Sequence, residues 1–275
     1  MSLGGEIVSA DSRQVYRGMD IGTAKPSPDE RARVLHHLID VADPGERYDV
    51  YRYQRDARAA LDAIAARGRA AVVVGGTGLY VRALLDGLDL ASVPTDPALR
   101  ARIEADAERD GREALHQRLR DLDPEAAARV DARNVRRVVR YVEAALLTGG
   151  LSASWRRDGA IPARKIGLAP PRETLIAAIE ARARRMVDAG VLDETRALLA
   201  RGLDPALPSF SGHGYVHWAG HLGGRLTLDE ATRLTVRDTR RYSRRQMTWF
   251  RRDPDIRWVD PTTTDPLPLL EELAA

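Results

Sequence analysis

The sequence predicts an α/β protein in which a parallel sheet is covered by helices and interrupted by an all-helical insertion. Three observations carry this. The strand candidates at Ile7-Val8 and Ala70-Ala71-Val72-Val73-Val74 are apolar without period-two alternation, the pattern of strands buried on both faces. Helical segments separate them, as in a parallel sheet built from crossovers. From Pro94 to about Trp155 strand signals vanish, and Pro97, Gly111 and Pro124 punctuate three or four short helices.

Taken in order, Gly5 to Asp11 reads as a short buried strand that ends in a polar loop. Ser27-Pro28-Asp29-Glu30 starts a helix, with serine as N-cap and proline at the first helical position. Val34 to Asp40 reads as a second strand. Asp49 caps a helix from about Val50 to Ala66, with Ala59, Leu61, Ile64 and Ala65 on its apolar face and Gly68 as its stop. After the Ala70–Val74 strand, Gly75-Gly76-Thr77-Gly78 opens a helix through Leu84-Leu85. Lys165 to Leu168 returns to the sheet, and helices follow over Arg172–Ala189 and Leu192–Ala200. Thr227-Leu228-Asp229-Glu230 fits a capping box at the head of a long helix that Pro254 ends, and Ile256 to Val259 forms a last strand. The expected division is a first core segment (1–91), a helical insertion (92–157) and a second core segment (158–275).

A chain of 275 residues with 44% apolar and 30% charged residues suits a soluble globular protein with a substantial core. With no cysteine, disulfides, thiolate metal sites and cysteine nucleophiles are excluded. Neither a secretory signal nor a span-length apolar run is visible, so a cytoplasmic protein is expected. The net charge is only +3, but the basic residues cluster. Between Arg233 and Arg252 there are eight arginines and one acid, Asp238; Arg133, Arg136, Arg137 and Arg140 form a second group without an acid. Local charge of this kind attracts a polyanion even at small net charge. It also describes a solvated helix face.

Asp11 sits at the C-terminal end of the first strand, the edge where open parallel sheets bind ligands. There it can serve as a general base or simply cap its own loop. The glycines around Thr77 follow a strand and open a helix, so their amides can receive an anion. No Gly-Lys-Ser/Thr follows, so this is not a Walker loop. His213, His217 and His221 are spaced for one helical face, but neighbouring glycines and the lack of a carboxylate or cysteine nearby argue against a metal site.

ADSRQVYRGMDIGTAKP, HHLID, VVVGGTGLYVRALLDGL and the segment Thr239 to Arg252 (TRRYSRRQMTWFRR) occur in the order seen in tRNA dimethylallyltransferases. The chain resembles that family over nearly its whole length. The resemblance implies a P-loop NTPase-like core with a helical insertion, Mg²⁺, and transfer of a dimethylallyl group from dimethylallyl diphosphate to N6 of the adenosine 3′ of the anticodon. By resemblance Asp11 is the general base and Arg182 the diphosphate-side arginine. Asp11, Ser12, Arg13 and Gln14 match the loop around the extruded adenosine, and Thr77 and Arg100 match single tRNA contacts. Arg136, Arg137, Val138, Val139 and Arg140 match a tRNA-contacting segment, as do Arg240, Arg241, Arg244 and Arg245. Thr23, Lys25, Gly75 and Gly76 match substrate-binding positions. The implied partners are the tRNA anticodon stem-loop and dimethylallyl diphosphate, with the protein a monomer and no membrane involved.

Members of this family begin with a strand and a Gly-Lys-Thr-type loop that have no counterpart before Gly5. The expectation that follows is a chain begun at the wrong methionine, or a fragment, with unpaired strand edges and an uncovered apolar surface. Asp131-Ala132-Arg133-Asn134 and Val216 also depart from the usual pattern in tRNA-contacting segments. Besides the transferase, a tRNA-binding protein without catalysis fits the arginine clusters.

Overall fold

The computed structural model describes residues 4–87, 94–149, 159–212 and 214–274. Two compact units result: residues 1–81 with 162–275, and residues 82–161. The sequence-based boundaries at 91/92 and 157/158, the end of the insertion near Trp155, and His213 lie outside the described residues.

In the first unit, β1 (Glu6–Ser9) runs parallel to and between β2 (His36–His37) and β3 (Ala71–Val74). β4 (Lys165–Leu168) and β5 (Ile256–Val259) pair in parallel as a separate two-stranded sheet. A single sheet covered on both faces is therefore corrected to two small ones. β1 is a buried central strand, whereas β3 and β4 are edge strands whose Val74 and Leu168 stand 51% and 56% exposed. β2 is shorter than expected because Leu38 (φ 63°) and Asp40 (φ 60°) turn the chain out of extended geometry.

Glu6 places a carboxylate inside β1, where an unpaired charge would be costly. Arg67 donates to both its oxygens (3.0 and 2.7 Å), and His37 Nε2 lies 2.7 Å away. These bonds, led by Arg67, pull its pKa down to about 2.

α1 (Pro28–Arg33) has the full capping box between Ser27 and Glu30. α2 (Val50–Ala66) is capped by Asp49, which accepts from Arg52 N, and stops before Gly68 at φ +65°. Its buried face is Tyr53, Ala57, Ala60 and Ile64, while Ala59 and Ala65 are exposed. Tyr53 sets this rotation by stacking on Tyr80 of α3 (Gly78–Leu85) with ring centroids 4.0 Å apart.

The second unit contains α4 (Pro97–Leu122), broken at Gly111 (φ +85°), α5 (Pro124–Arg129) and α6 (Val135–Thr148). Ile103, Leu115, Leu119, Val138, Val139 and Val142 share its core. Truncating any one of the leucines to alanine there would cost about 2–5 kcal/mol.

Returning to the first unit, α7 (Arg172–Asp188) and α8 (Val191–Ala200) precede a 3₁₀ turn at Pro208–Ser211. α9 (Tyr215–Leu222) does form a helix despite its glycines. Gly214 at φ +96° starts it, and a Cβ there would meet Thr235 and Trp218. α10 (Leu228–Phe250), opened by the Thr227–Glu230 capping box, packs against α7 and α9, and α11 (Leu267–Ala274) ends the described chain. Among the described residues no helix is long and apolar enough to cross a membrane.

Candidate active site

Immediately after β1 the chain turns through Asp11 to Gln14. Asp11 Oδ1 accepts from Arg13 N (2.7 Å) and Gln14 N (3.4 Å), so the aspartate does cap its own loop. Its Oδ2 has no hydrogen bond among the described residues and stays available. Ser12 N donates to Thr77 Oγ1 (3.0 Å), and Thr77 N donates to Ala10 O (3.1 Å). Gln14 is fixed at both ends of its amide: Ser9 Oγ donates to Oε1 (3.3 Å) and Nε2 donates to Ala24 O (3.2 Å). Arg13 donates to Pro208 O, and a Cβ on Gly212 would sit 2.6 Å from Arg13 Nε.

The Gly75–Gly78 turn is packed from two sides. A Cβ on Gly75 would lie 2.4 Å from the Ala10 backbone. On Gly76 it would meet Gln246 Nε2 at 1.9 Å, and on Gly78 the Trp249 ring at 2.2 Å. The glycines thus let α10 rest directly on the turn. Both Gln246 Nε2 (2.9 Å) and Tyr242 Oη (3.3 Å) donate to Gly76 O.

Arg182, on α7, is half-buried and no hydrogen bond or ion pair holds its guanidinium among the described residues. Burial pulls its pKa below the usual arginine value; the charge of Asp11 opposes that shift and Arg185 reinforces it. Asp11 and Arg182 therefore feel each other's charge from different elements. Beyond them, a concave surface between α7 and α10 is lined by Arg184, Arg233, Arg237, Arg240, Arg241 and Arg244. Arg233 pairs with Asp229, and Arg237 and Arg241 approach Asp238. No acid pairs with Arg184, Arg240 or Arg244 among the described residues. Arg245 lies over the Tyr242 ring at 5.6 Å.

Several sequence-predicted site residues have partners within the protein. Lys25 Nζ donates to Tyr16 O, Asp20 and Asp40, each at 2.6 Å, and its side chain is 3% exposed. Thr23 Oγ1 donates to Met19 O and is buried. In the helical unit, Arg100 and Arg140 both bind Glu143, whose buried carboxylate also accepts from Asp96 N (2.8 Å). The side chains of Val138 and Val139 are core, 0% and 2% exposed. Arg136 and Arg137 of that segment stand exposed and make no ion pair among the described residues, Arg137 donating to Tyr141 Oη. His217 bonds Asp238 and His221 bonds Leu226 O.

Other residues of the site were not foreseen. Glu194 accepts from Asp20 N (2.7 Å), Ile21 N (2.8 Å), Gly22 N (3.1 Å) and Tyr215 Oη (2.5 Å), anchoring the Met19–Lys25 loop to α8. A lone helical glutamate carries no sequence signal for this. Tyr242 and Gln246 were visible, four apart on one helical face and facing inward, opposite the arginine stripe.

The sequence model of the IPP transferase family matches residues 14–253. A tRNA dimethylallyltransferase of Thermomicrobium roseum is 46% identical over 264 residues, covering 95% of this chain and 80% of that protein. One from Roseiflexus castenholzii is 50% identical over 254 residues, covering 92% and 83%. Among solved structures, the full-length tRNA isopentenylpyrophosphate transferase of Bacillus halodurans superposes with a TM-score of 0.70 at 39% identity, covering 99% of this chain and 86% of its own. A eukaryotic dimethylallyltransferase solved acting on tRNA shares the fold, with a TM-score of 0.77 at 23% identity over 99% of this chain and 70% of its own. With its β1 loop, glycine turn and arginine-lined helices in this arrangement, the chain belongs to the IPP transferase family.

Proposed function

We propose that this protein transfers a dimethylallyl group from dimethylallyl diphosphate to N6 of the adenosine 3′ of the anticodon in tRNA. The observation that carries it is the juxtaposition of Asp11 and Arg182: among the described residues, a carboxylate oxygen without a hydrogen bond and a half-buried guanidinium without an ion pair that senses the Asp11 charge.

The exocyclic amine of adenine is conjugated to the ring and is a weak nucleophile. As N6 attacks the allylic carbon, the bond from that carbon to the diphosphate oxygen breaks. Asp11 Oδ2 takes the N6 proton, while Oδ1 stays fixed by the amides of Arg13 and Gln14. Diphosphate leaves with growing negative charge, which the partly desolvated Arg182 stabilises more strongly than a solvated arginine would. The adenosine has to leave its stack to reach Asp11, and the fastened Ser12–Gln14 loop provides a rigid seat. Arg184, Arg240 and Arg244, which make no ion pair among the described residues although Glu180 and Asp229 line the same surface, suit phosphates of the RNA backbone.

The Mg²⁺ implied by the resemblance finds no cluster of three acidic or histidine side chains among the described residues. The donors for such an ion would come largely from diphosphate and water, and no step above depends on it. A cytoplasmic monomer fits the same reading.

Incubating the chain with dimethylallyl diphosphate and an anticodon stem-loop, then digesting the RNA for mass spectrometry, tests the proposal. Dimethylallyl-adenosine at the expected position supports it. Salt-sensitive binding without modified adenosine overturns it in favour of a non-catalytic RNA binder.

A further inference from the structure

We infer that Tyr242 is a positioning residue for this reaction, coupling the RNA-facing helix α10 to the loop that carries Asp11. The inference rests on the function proposed above for its catalytic meaning. Its structural basis is a chain of hydrogen bonds that meet at the neighbouring residues Gly76 and Thr77. Tyr242 Oη donates to Gly76 O (3.3 Å); the next residue, Thr77, accepts from Ser12 N through Oγ1 (3.0 Å) and donates its own N–H to Ala10 O (3.1 Å). Gln246, one turn further along α10, also donates to Gly76 O.

Tyr242 and Gln246 thus hold the Gly76 carbonyl from α10, while the adjacent Thr77 holds the Ser12 amide from the other side. Burial raises the Tyr242 pKa above that of a free phenol, Thr77 opposes the shift and the charge of Asp11 adds to it. The phenol is therefore a neutral donor at working pH, and it lies within the electrostatic reach of the proposed base. Its ring meanwhile carries the Arg245 guanidinium on its face. One side chain thus touches the RNA-facing arginines and, through Gly76 and Thr77, the backbone beside Asp11.

The packing leaves this relay little slack. The Gly78 position admits no Cβ beneath the Trp249 ring, and at Gly76 a Cβ would displace the Gln246 amide from its bond to Gly76 O, so α10 and the glycine turn are closely packed. A shift of α10 on binding RNA would be transmitted to Ser12. Tyr242 acts through Thr77 and Ser12 and makes no contact with the reacting atoms. Its removal should therefore degrade the chemical step more than RNA affinity.

Tyr242→Phe keeps the ring under Arg245 and removes only the hydroxyl, and Thr77→Val breaks the same relay from the other side. Hydrogen exchange on the full chain, followed by mass spectrometry, reads the Ser12 amide region directly. Both variants should exchange over residues 10–16 about tenfold faster than wild type, with α2 unchanged. In the transfer assay, kcat should fall about tenfold while KM for the stem-loop stays within about twofold, and the double variant should be no worse than either single one. Unchanged exchange over 10–16, or losses that add in the double variant, would overturn the inference. A wild-type chain that transfers nothing counts against the proposed function alone, because the exchange comparison still decides the relay.

Discussion

The two units each hold a carboxylate among arginines, and they use them in opposite ways. In the helical unit Glu143 is fully buried, and it satisfies Arg100, Arg140 and the amide of Asp96 at once. At the end of β1, Asp11 accepts only from its own loop, and Arg182 makes no ion pair among the described residues. The first arrangement is closed: every charge has its partner, and little is left for a ligand. The second is open, with one carboxylate oxygen and one guanidinium held near each other and unspent. Arginine count does not separate the two cases. What separates them is whether burial comes with a partner.

The largest expected effect lies on the open side. Asp11→Asn keeps the carbonyl that Arg13 and Gln14 bond, and it should slow single-turnover transfer by about 10²–10⁴-fold. Stem-loop affinity, measured by filter binding, should stay nearly constant. Weakened binding with unchanged chemistry would remove Asp11 from its role.

On the closed side, Glu143→Ala leaves two arginines without their acid and should destabilise the protein by about 3–5 kcal/mol in urea unfolding. If stability holds and RNA binding collapses instead, Arg100 and Arg140 are contact residues after all.

Replacing both Arg136 and Arg137 by alanine sharpens the comparison, because they are the exposed arginines of α6 and make no ion pair among the described residues. The slope of log Kd for the stem-loop against log salt should fall by about one for each RNA phosphate that no longer meets an arginine. Arg100→Ala should leave that slope unchanged.

The smallest effect is an acid dependence at Glu6. Its folded pKa of about 2 lies below the ordinary carboxylate value of 4.5, so its contribution is complete above 4.5. That contribution is lost as pH falls from 4.5 towards 2. Glu6→Gln should flatten the stability curve in that window, as read by thermal unfolding at each pH.

The elements were largely legible in the sequence because their signals are local. Asp49, Gly68, the Ser27 and Thr227 capping boxes and Gly111 each act within a turn of where they stand. The sheet was less so. Alternation-free apolar strands imply burial on both faces, yet Val74 and Leu168 are exposed, since coverage depends on neighbours that one segment does not encode. At the site, Asp11 and the glycine turn were legible as motifs. The partnering of Lys25 with Asp40 and of Arg100 with Glu143 was not, because each acid arrives from elsewhere in the chain, while Arg140 meets Glu143 one turn along its own helix. The rotation of α2 likewise followed from Tyr53 meeting Tyr80, which stands on a different helix.

The most direct test sets the two kinds of arginine against each other. Single-turnover transfer would be measured for Arg182→Ala and Arg100→Ala at equal concentrations of folded protein. Arg182→Ala should slow the rate by about 10²-fold or more, the cost of removing a group that stabilises developing charge. Arg100→Ala should be less stable and chemically unimpaired. Equal reductions in rate, or a larger one for Arg100→Ala, would contradict the distinction between open and closed charges.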